Sequence, residues 1–288
     1  MRFFIHYLIR GLCILAGIVL FLSIPQLFYV KGKQLIFGPE FFLSALKETA
    51  GQILHFNVLP IVQQWTTTSM GERYFYSMEI LLLSLLAMVI GGILLTGIFI
   101  ITPRKLQSRL KDLINFSEAV PDLLIIFILQ FVVIYLYKET GFKLLRLYGL
   151  SEKSYLLPIL TVSLLPSFFM AQFLIKEIEA EWGKDYVIFA KSKGLPDLAI
   201  YFVHILRNIF PMAIIQLRTF IWTLLSNLVL IEYLFALQGF TTDLDDVFTK
   251  DASSVIIFCM LLAVPILVID FLARITAYFY RGKDEVQL

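Results

Sequence analysis

The chain has 288 residues, 59% of them hydrophobic and only 16% charged, with a net charge of +2 and a mean hydropathy of +0.84. Soluble domains run at about 45–50% apolar and about 25% charged, so a water-soluble domain is excluded, and the near-neutral balance offers no nucleic-acid partner. The apolar surplus falls in blocks of about 20 residues, the length that crosses a hydrocarbon core as a helix. The expected fold is therefore an all-α polytopic membrane protein with six transmembrane helices.

In chain order, Arg2 and Arg10 precede an apolar run, Gly11–Val30, that is long for a signal peptide. No small-residue cleavage site follows Pro25, so this is expected to be a retained first span. The loop Lys31–Tyr76 holds apolar pieces such as Phe41–Leu46, with room for a short amphipathic helix. Span 2 covers about Met78–Ile101, where Gly91, Gly92 and Gly97 suit close helix packing. The loop Thr102–Asp112 carries Arg104, Lys105, Arg109 and Lys111. Span 3 covers about Ala119–Tyr137. Span 4 covers about Tyr155–Ile175, with Pro158 and Pro166 as expected kinks. Span 5 covers about Pro211–Leu234 and span 6 about Ala252–Tyr278, separated by the acidic loop Gln238–Asp251. As domains, 1–76 form an N-terminal span and long extracytoplasmic loop, 77–280 a core, and 281–288 a tail.

Six spans put both termini on one side. That side holds fourteen basic residues against nine on the other, which places the termini and the Thr102–Asp112 loop in the cytoplasm. Cys13 and Cys259 lie inside apolar runs and read as small buried hydrophobes. His6, His55 and His204 are isolated from one another, so no metal cluster is expected. No nucleophile arrangement and no His-Glu-x-x-His motif occurs, so no catalytic residue is assigned.

The segment between spans 4 and 5, residues 176–210, is itself patterned. Gly194 suits a helix C-cap because it tolerates positive φ. Pro196 suits the first turn of a new helix. Leu198, Tyr201, Phe202 and Ile205 recur at helical spacing on one face, with His204, Arg207 and Asn208 largely opposite. The pattern predicts two short helices joined by a sharp turn. It leaves open an interfacial helix pair or a knob that fits a partner's groove.

Tyr186, Val187, Ala190, Lys191, Gly194, Leu195, His204, Arg207 and Asn208 stand at spacings that resemble the cytoplasmic coupling loop of ABC importer permeases, more narrowly the oligopeptide, dipeptide and nickel family. Lys191 replaces the usual Arg and keeps its charge. The resemblance extends to Ser77-Met78-Glu79-Ile80 at the opening of span 2, to Glu118-Ala119-Val120-Pro121 before span 3, and to Ile231-Glu232-Tyr233-Leu234-Phe235 with Gly239 after span 5. The Pro-Gly-Asp-Pro element usual after span 1 and the C-terminal Asp-Pro-Arg are absent. A retained first span with a long first loop favours the B-type half of the permease pair.

The resemblance implies an ATP-driven importer of peptides, or of nickel and other metal chelates, in the bacterial inner membrane. Its implied partners are a second homologous permease, one or two cytoplasmic ATPases, an extracytoplasmic substrate-binding lipoprotein and membrane lipid. This chain has no Gly-x-x-x-x-Gly-Lys-Ser/Thr loop, so Mg–ATP is expected on the partner ATPases and no cofactor here. The coupling residues it implies are Tyr186, Ala190, Lys191, Gly194, Leu195, Leu198, Tyr201, Phe202, His204, Arg207 and Asn208.

Charges inside spans are costly and therefore candidates for function. Arg218 is expected to snorkel to the interface or to pair within the bundle. Asp270 has Arg274 four residues on as a partner. Glu232, near the outer end of span 5, reads as a local hydrogen-bonding group. Two rival readings use the same sequence: an ion-gradient transporter running on Arg218, Glu232 and Asp270, and a non-transporting permease-like scaffold.

Overall fold

The computed structural model describes residues 16–17, 19–31, 34–55, 63, 65, 69–141, 153–244, 247 and 252–281. They fall into two compact units, one drawn from Met1–Gly71 and Asp243–Leu262, the other from Glu72–Thr242 and Ala263–Leu288.

In the first unit, residues 19–23 are helical and Ile24–Leu27 form a 3-10 turn. A hairpin follows, with β1 (Phe28–Lys31) antiparallel to β2 (Gln34–Phe37) and Phe28 opposite Phe37. The two Phe rings meet edge to face at 5.8 Å. The end of the expected first span is thus corrected. Pro25 cannot donate to a continuing helix, and Phe28, Tyr29 and Val30 favour extended backbone. The start of that span, including Cys13, lies outside the described residues. Helix α1 (Pro39–Leu54) follows, with Pro39 in its first turn and Glu40 near its positive end. Ala45 is buried while Phe41 and Leu43 are exposed.

The remaining helices are α2 (Met70–Ile101), α3 (Arg104–Phe116), α4 (Asp122–Thr140), α5 (Leu156–Trp182), α6 (Asp185–Ser192), α7 (Leu206–Leu234) and α8 (Ala252–Arg281). Among the described residues five helices are long and apolar enough to cross a membrane: α2, α4, α5, the continuous stretch Asp197–Leu234 that contains α7, and Ser254–Ala273 within α8. The chain is a helical, multi-pass membrane protein. Cys259 corrects the expectation of a buried thiol: it is exposed on α8. An apolar helix surface facing hydrocarbon has no need to bury a small apolar side chain.

Helix α5 is the centre of the second unit. Its apolar window is 67% buried, against 11% for α4. Its hydroxyls are satisfied within the helix, Thr161 donating to the Leu157 carbonyl and Ser167 to that of Ser163, each at 2.7 Å. Pro166 lies inside the helix. Pro158 falls in the first turn, where no intrahelical hydrogen bond is lost, so it breaks nothing.

Gly91 and Gly92 bring α2 against α5. A Cβ on Gly91 would lie 2.7 Å from Ser167 Oγ, and one on Gly92 2.5 Å from Met170 Cγ and 2.7 Å from its Cβ. Gly97 has nothing within 4 Å of the equivalent position, so only the first two serve packing. The expected Thr102–Asp112 loop is largely helix α3, because Leu106, Leu110, Leu113 and Ile114 repeat at helical spacing. Ile114 packs with Phe99, Ala171 and Ile175. The Gln172 amide donates to the Ile114 carbonyl at 2.8 Å and lies 3.3 Å from Ser117 Oγ, satisfying the end of α3.

Gly92→Ala should destabilise the protein by about 1–3 kcal/mol, since the added methyl meets the root of Met170 rather than its flexible end. Gly97→Ala should not lower stability, since it gains helix propensity in open space. Thermal unfolding of the two variants in the same detergent checks the contrast.

Candidate coupling site

The chain leaves α5 at Trp182 through Gly183 and enters α6 with Asp185 in its first turn. Helix α6 buries Val187 and Ala190 and ends in a left-handed cap at Gly194, φ +75°. There the Leu195 N–H donates to the Ala190 carbonyl at 3.4 Å and the Gly194 N–H to that of Lys191 at 2.9 Å. This is the Schellman arrangement, which a residue with a Cβ adopts only under strain. Pro196 stands as the N-cap of the turn Asp197–Ala199, one position earlier than the sequence predicts.

The second half of the segment corrects the expected separate helix. After Asp197–Ala199 the backbone is π-helical over Ile200–Ile205 and runs without interruption into α7. A π-turn repeats at five residues. Ile200 and Ile205 therefore share the buried face, 0% and 1% exposed, while Leu198 and Phe202 turn outward. The single stripe of Leu198, Tyr201, Phe202 and Ile205 does not form, because the extra residue breaks its 3.6-residue period. His204 is half-buried, and Arg207 and Asn208 are exposed.

Two sets of contacts join this segment to α5. The Tyr201 ring stacks on Trp182, centroids 4.5 Å apart, and Lys191 Nζ lies 3.8 Å above the Trp182 ring. The neighbouring Glu181 is 8% exposed. Its carboxylate accepts from the Tyr186 hydroxyl at 2.5 Å and from Lys184 Nζ. The Asn208 side chain reaches the same carboxylate and the Tyr186 oxygen. Burial, then the Glu181 carboxylate, push the Tyr186 hydroxyl up to about 12, so it stays a donor at any physiological pH.

Tyr186 and Asn208, taken separately from the sequence, thus converge on a residue that sequence reasoning passed over. The available signal was electrostatic. Glu179 and Glu181 sit at the C-terminal end of α5, where the helix dipole disfavours carboxylates. Each has a cationic partner, Lys111 for Glu179 at 2.6 Å and Lys184 for Glu181.

The charged residues inside the spans are placed as follows. Arg218 on α7 pairs with Asp270 on α8 at 3.4 Å. This resolves the two expectations for Arg218 in favour of pairing and gives Asp270 an interhelical partner; the Arg274 side chain lies outside the described residues. Glu232 is 0% exposed. It accepts from Ser77 Oγ at 2.5 Å, from the Thr241 N–H at 2.8 Å and from the Thr241 hydroxyl at 2.5 Å, while Ser77 Oγ takes the Phe240 N–H at 2.8 Å. Gly239 passes so close that a Cβ there would lie 2.0 Å from the Glu232 carboxyl carbon. Glu79 accepts from the Tyr155 hydroxyl at 2.8 Å. Asp122, another carboxylate that sequence reasoning missed, opens α4 and bonds to Asn227 on α7.

The described residues form a multi-pass helical bundle with a capped helix–turn between two of its spans. The chain belongs to the binding-protein-dependent transport system inner membrane component family, whose profile matches residues 88–279. These are permeases of ABC importers, and as such the chain is a transport component of the inner membrane and not an enzyme. It is 23% identical over 208 residues to the metal-staphylopine import system permease protein CntB of Staphylococcus aureus (strain Mu50 / ATCC 700699), across 71% of this chain and 65% of that protein. It is 28% identical over 125 residues to the dipeptide transport system permease protein DppB of Lactococcus lactis subsp. cremoris (strain MG1363), across 42% of this chain and 41% of that one. The match thus spans less than two thirds of either relative's length.

Glu232→Ala would strip three donated hydrogen bonds of their acceptor in a dry site, each worth roughly 1–3 kcal/mol when left unmade. A loss of about 3 kcal/mol or more, or failure to accumulate in the membrane, is expected. Gly239→Ala should fail similarly because its methyl occupies the carboxylate's space. Both are read from expression and thermal unfolding against wild type.

Proposed function

We propose that this chain is the transmembrane subunit of an ATP-driven importer and that the Asp185–Asn208 segment is where cytoplasmic ATPases engage it. The observation that carries this reading is the Schellman turn at Gly194. Around it Ile188, Phe189, Leu195 and Leu198 are exposed, on a rigid cap between two spans. A short, capped, apolar-tipped helix is the shape that lies in a groove of another protein. The chain's lack of a phosphate-binding Gly-Lys-Ser/Thr loop fits hydrolysis of Mg–ATP on separate subunits.

In this reading the termini and the Gly194 turn face the cytoplasm. ATP binding closes a pair of ATPases, the turn is displaced, and α5 and α7 swing. A cavity shared with a second homologous permease then opens toward an extracytoplasmic substrate-binding lipoprotein. The names of the relatives support peptides or metal chelates as cargo. Arg218 and Asp270 neutralise one another between α7 and α8, which supports a structural rather than a proton-carrying role for both.

Affinity purification from native membranes in mild detergent, followed by mass spectrometry, should recover one or two ATPases with phosphate-loop motifs and a second permease. Recovery of this chain alone would overturn the reading. Gly194→Pro, which cannot adopt φ +75°, and Arg207→Glu should each reduce ATPase recovery at least ten-fold. Equal recovery and equal ATP hydrolysis would show that the segment is not the docking site.

A further inference from the structure

We propose that Glu181 is the positioning residue that makes the coupling turn and its two flanking spans move as one body. The inference rests on the reading of Asp185–Asn208 as the ATPase-engaging segment and adds how displacement leaves it. Three separate pieces of chain reach the Glu181 carboxylate. Lys184 comes from the link after α5, Tyr186 from α6 and Asn208 from the first turn of α7. Glu181 itself is the penultimate residue of α5. One buried anion therefore joins the end of span 4, the coupling helix and the start of span 5.

Beside the continuous backbone, the other side-chain routes for force are weaker. The turn stands off the bundle, across a cavity of about 570 Å³ lined by Thr102, Pro103, Arg104, Lys191, Asp197 and Tyr201 among others. Across that gap Arg104 and Asp197 approach only to 3.6 Å, both well exposed, and such a pair holds little. The Val187 and Ala190 contacts and the Tyr201–Trp182 stack are apolar, so surfaces can slide along them with little change in buried area. Hydrogen bonds to a buried carboxylate are directional and roughly twice as strong as neutral ones. They fix orientation as well as distance. Tyr186 keeps its proton, so the clasp does not open with physiological pH.

The test uses the complete complex in lipid nanodiscs, in a Cys13→Ser, Cys259→Ser background. Nitroxide labels go on Phe131→Cys in α4, outside the clasped body, and Tyr233→Cys at the far end of α7, both exposed. ATP hydrolysis and the label–label distance distribution are read with and without ATP–vanadate. In the otherwise wild-type complex, trapping should shift the distribution. Glu181→Ala should keep assembly and hydrolysis within about two-fold yet lose the shift. Tyr186→Phe, which removes one hydrogen bond and no charge, should reduce the shift partially. Glu181→Gln, still able to accept from Tyr186, should retain more of it than Glu181→Ala.

An unchanged shift in Glu181→Ala overturns the proposal while leaving the importer reading intact. A complex that hydrolyses ATP with no shift even with Glu181 in place overturns it too. If Glu181→Ala does not assemble, Tyr186→Phe decides, and full motion there sinks the clasp. If the chain with Glu181 in place recruits no ATPase, the importer reading itself fails and the proposal goes with it.

Discussion

Hydrocarbon offers no hydrogen bonds, so a protein that lives in it must satisfy every buried polar group from its own atoms. That constraint organises this bundle more than apolar packing does, because lipid tails are as apolar as the leucines they meet. Helix α5 is central because it can be approached closely and because its polar groups are satisfied. Its hydroxyls turn back on their own helix, and Gln172 completes the open end of α3. The two glycines of α2 let that neighbour come within a methyl's width of Ser167 and Met170. Glu232 follows the same rule. A carboxylate at zero exposure persists there because the Ser77 hydroxyl and the Thr241 N–H and hydroxyl are aimed at its oxygens.

This polar bookkeeping also explains where distant stretches of sequence meet. Ser77 and Glu232 are 155 residues apart, and the hydroxyl of one bridges the carboxylate of the other to the backbone of Phe240. The two stretches resemble family motifs when read separately; in space they are a single knot that fixes the chain after span 5. Similarly, Tyr186 and Asn208 belong to one motif for a reason visible only in three dimensions, since both serve the same carboxylate on the preceding helix. The family profile over residues 88–279 places the chain among these permeases.

Much of the architecture was legible because hydrophobic blocks of span length are a strong signal and Gly194-Leu195-Pro196 is unambiguous punctuation. Positive φ at Gly194 and the end of α6 follow from residue type alone. What escaped reading escaped for physical reasons. The hairpin around Phe28–Phe37 depends on pairing between strands, which apolar content does not reveal. Helix α3 was hidden by its charges, which overshadowed a leucine repeat. The stripe over Leu198–Ile205 was misread because periodicity analysis assumes 3.6 residues per turn, and a π-segment departs from it without any residue-type marker. Glu181 belongs to no spacing or motif that the sequence singles out; its burial makes it exceptional.

The π-helical segment has a consequence for evolution and engineering. It holds one residue more than an α-helix needs to cover the same rise. Loss of any one residue between Ile200 and Ile205 would let the stretch relax into ordinary α-helix. The wider turn spreads nearly the same rotation over that extra residue, so the faces on either side would keep their relative orientation and the capped turn its direction. A residue added within the regular α-helix beyond has no such slack. Each residue turns an α-helix by about 100°, so everything on the Gly194 side would rotate by that much about the axis of α7, and Tyr201 would leave the face of Trp182. A change of length is therefore absorbed inside the segment and re-aims the turn when it falls outside it.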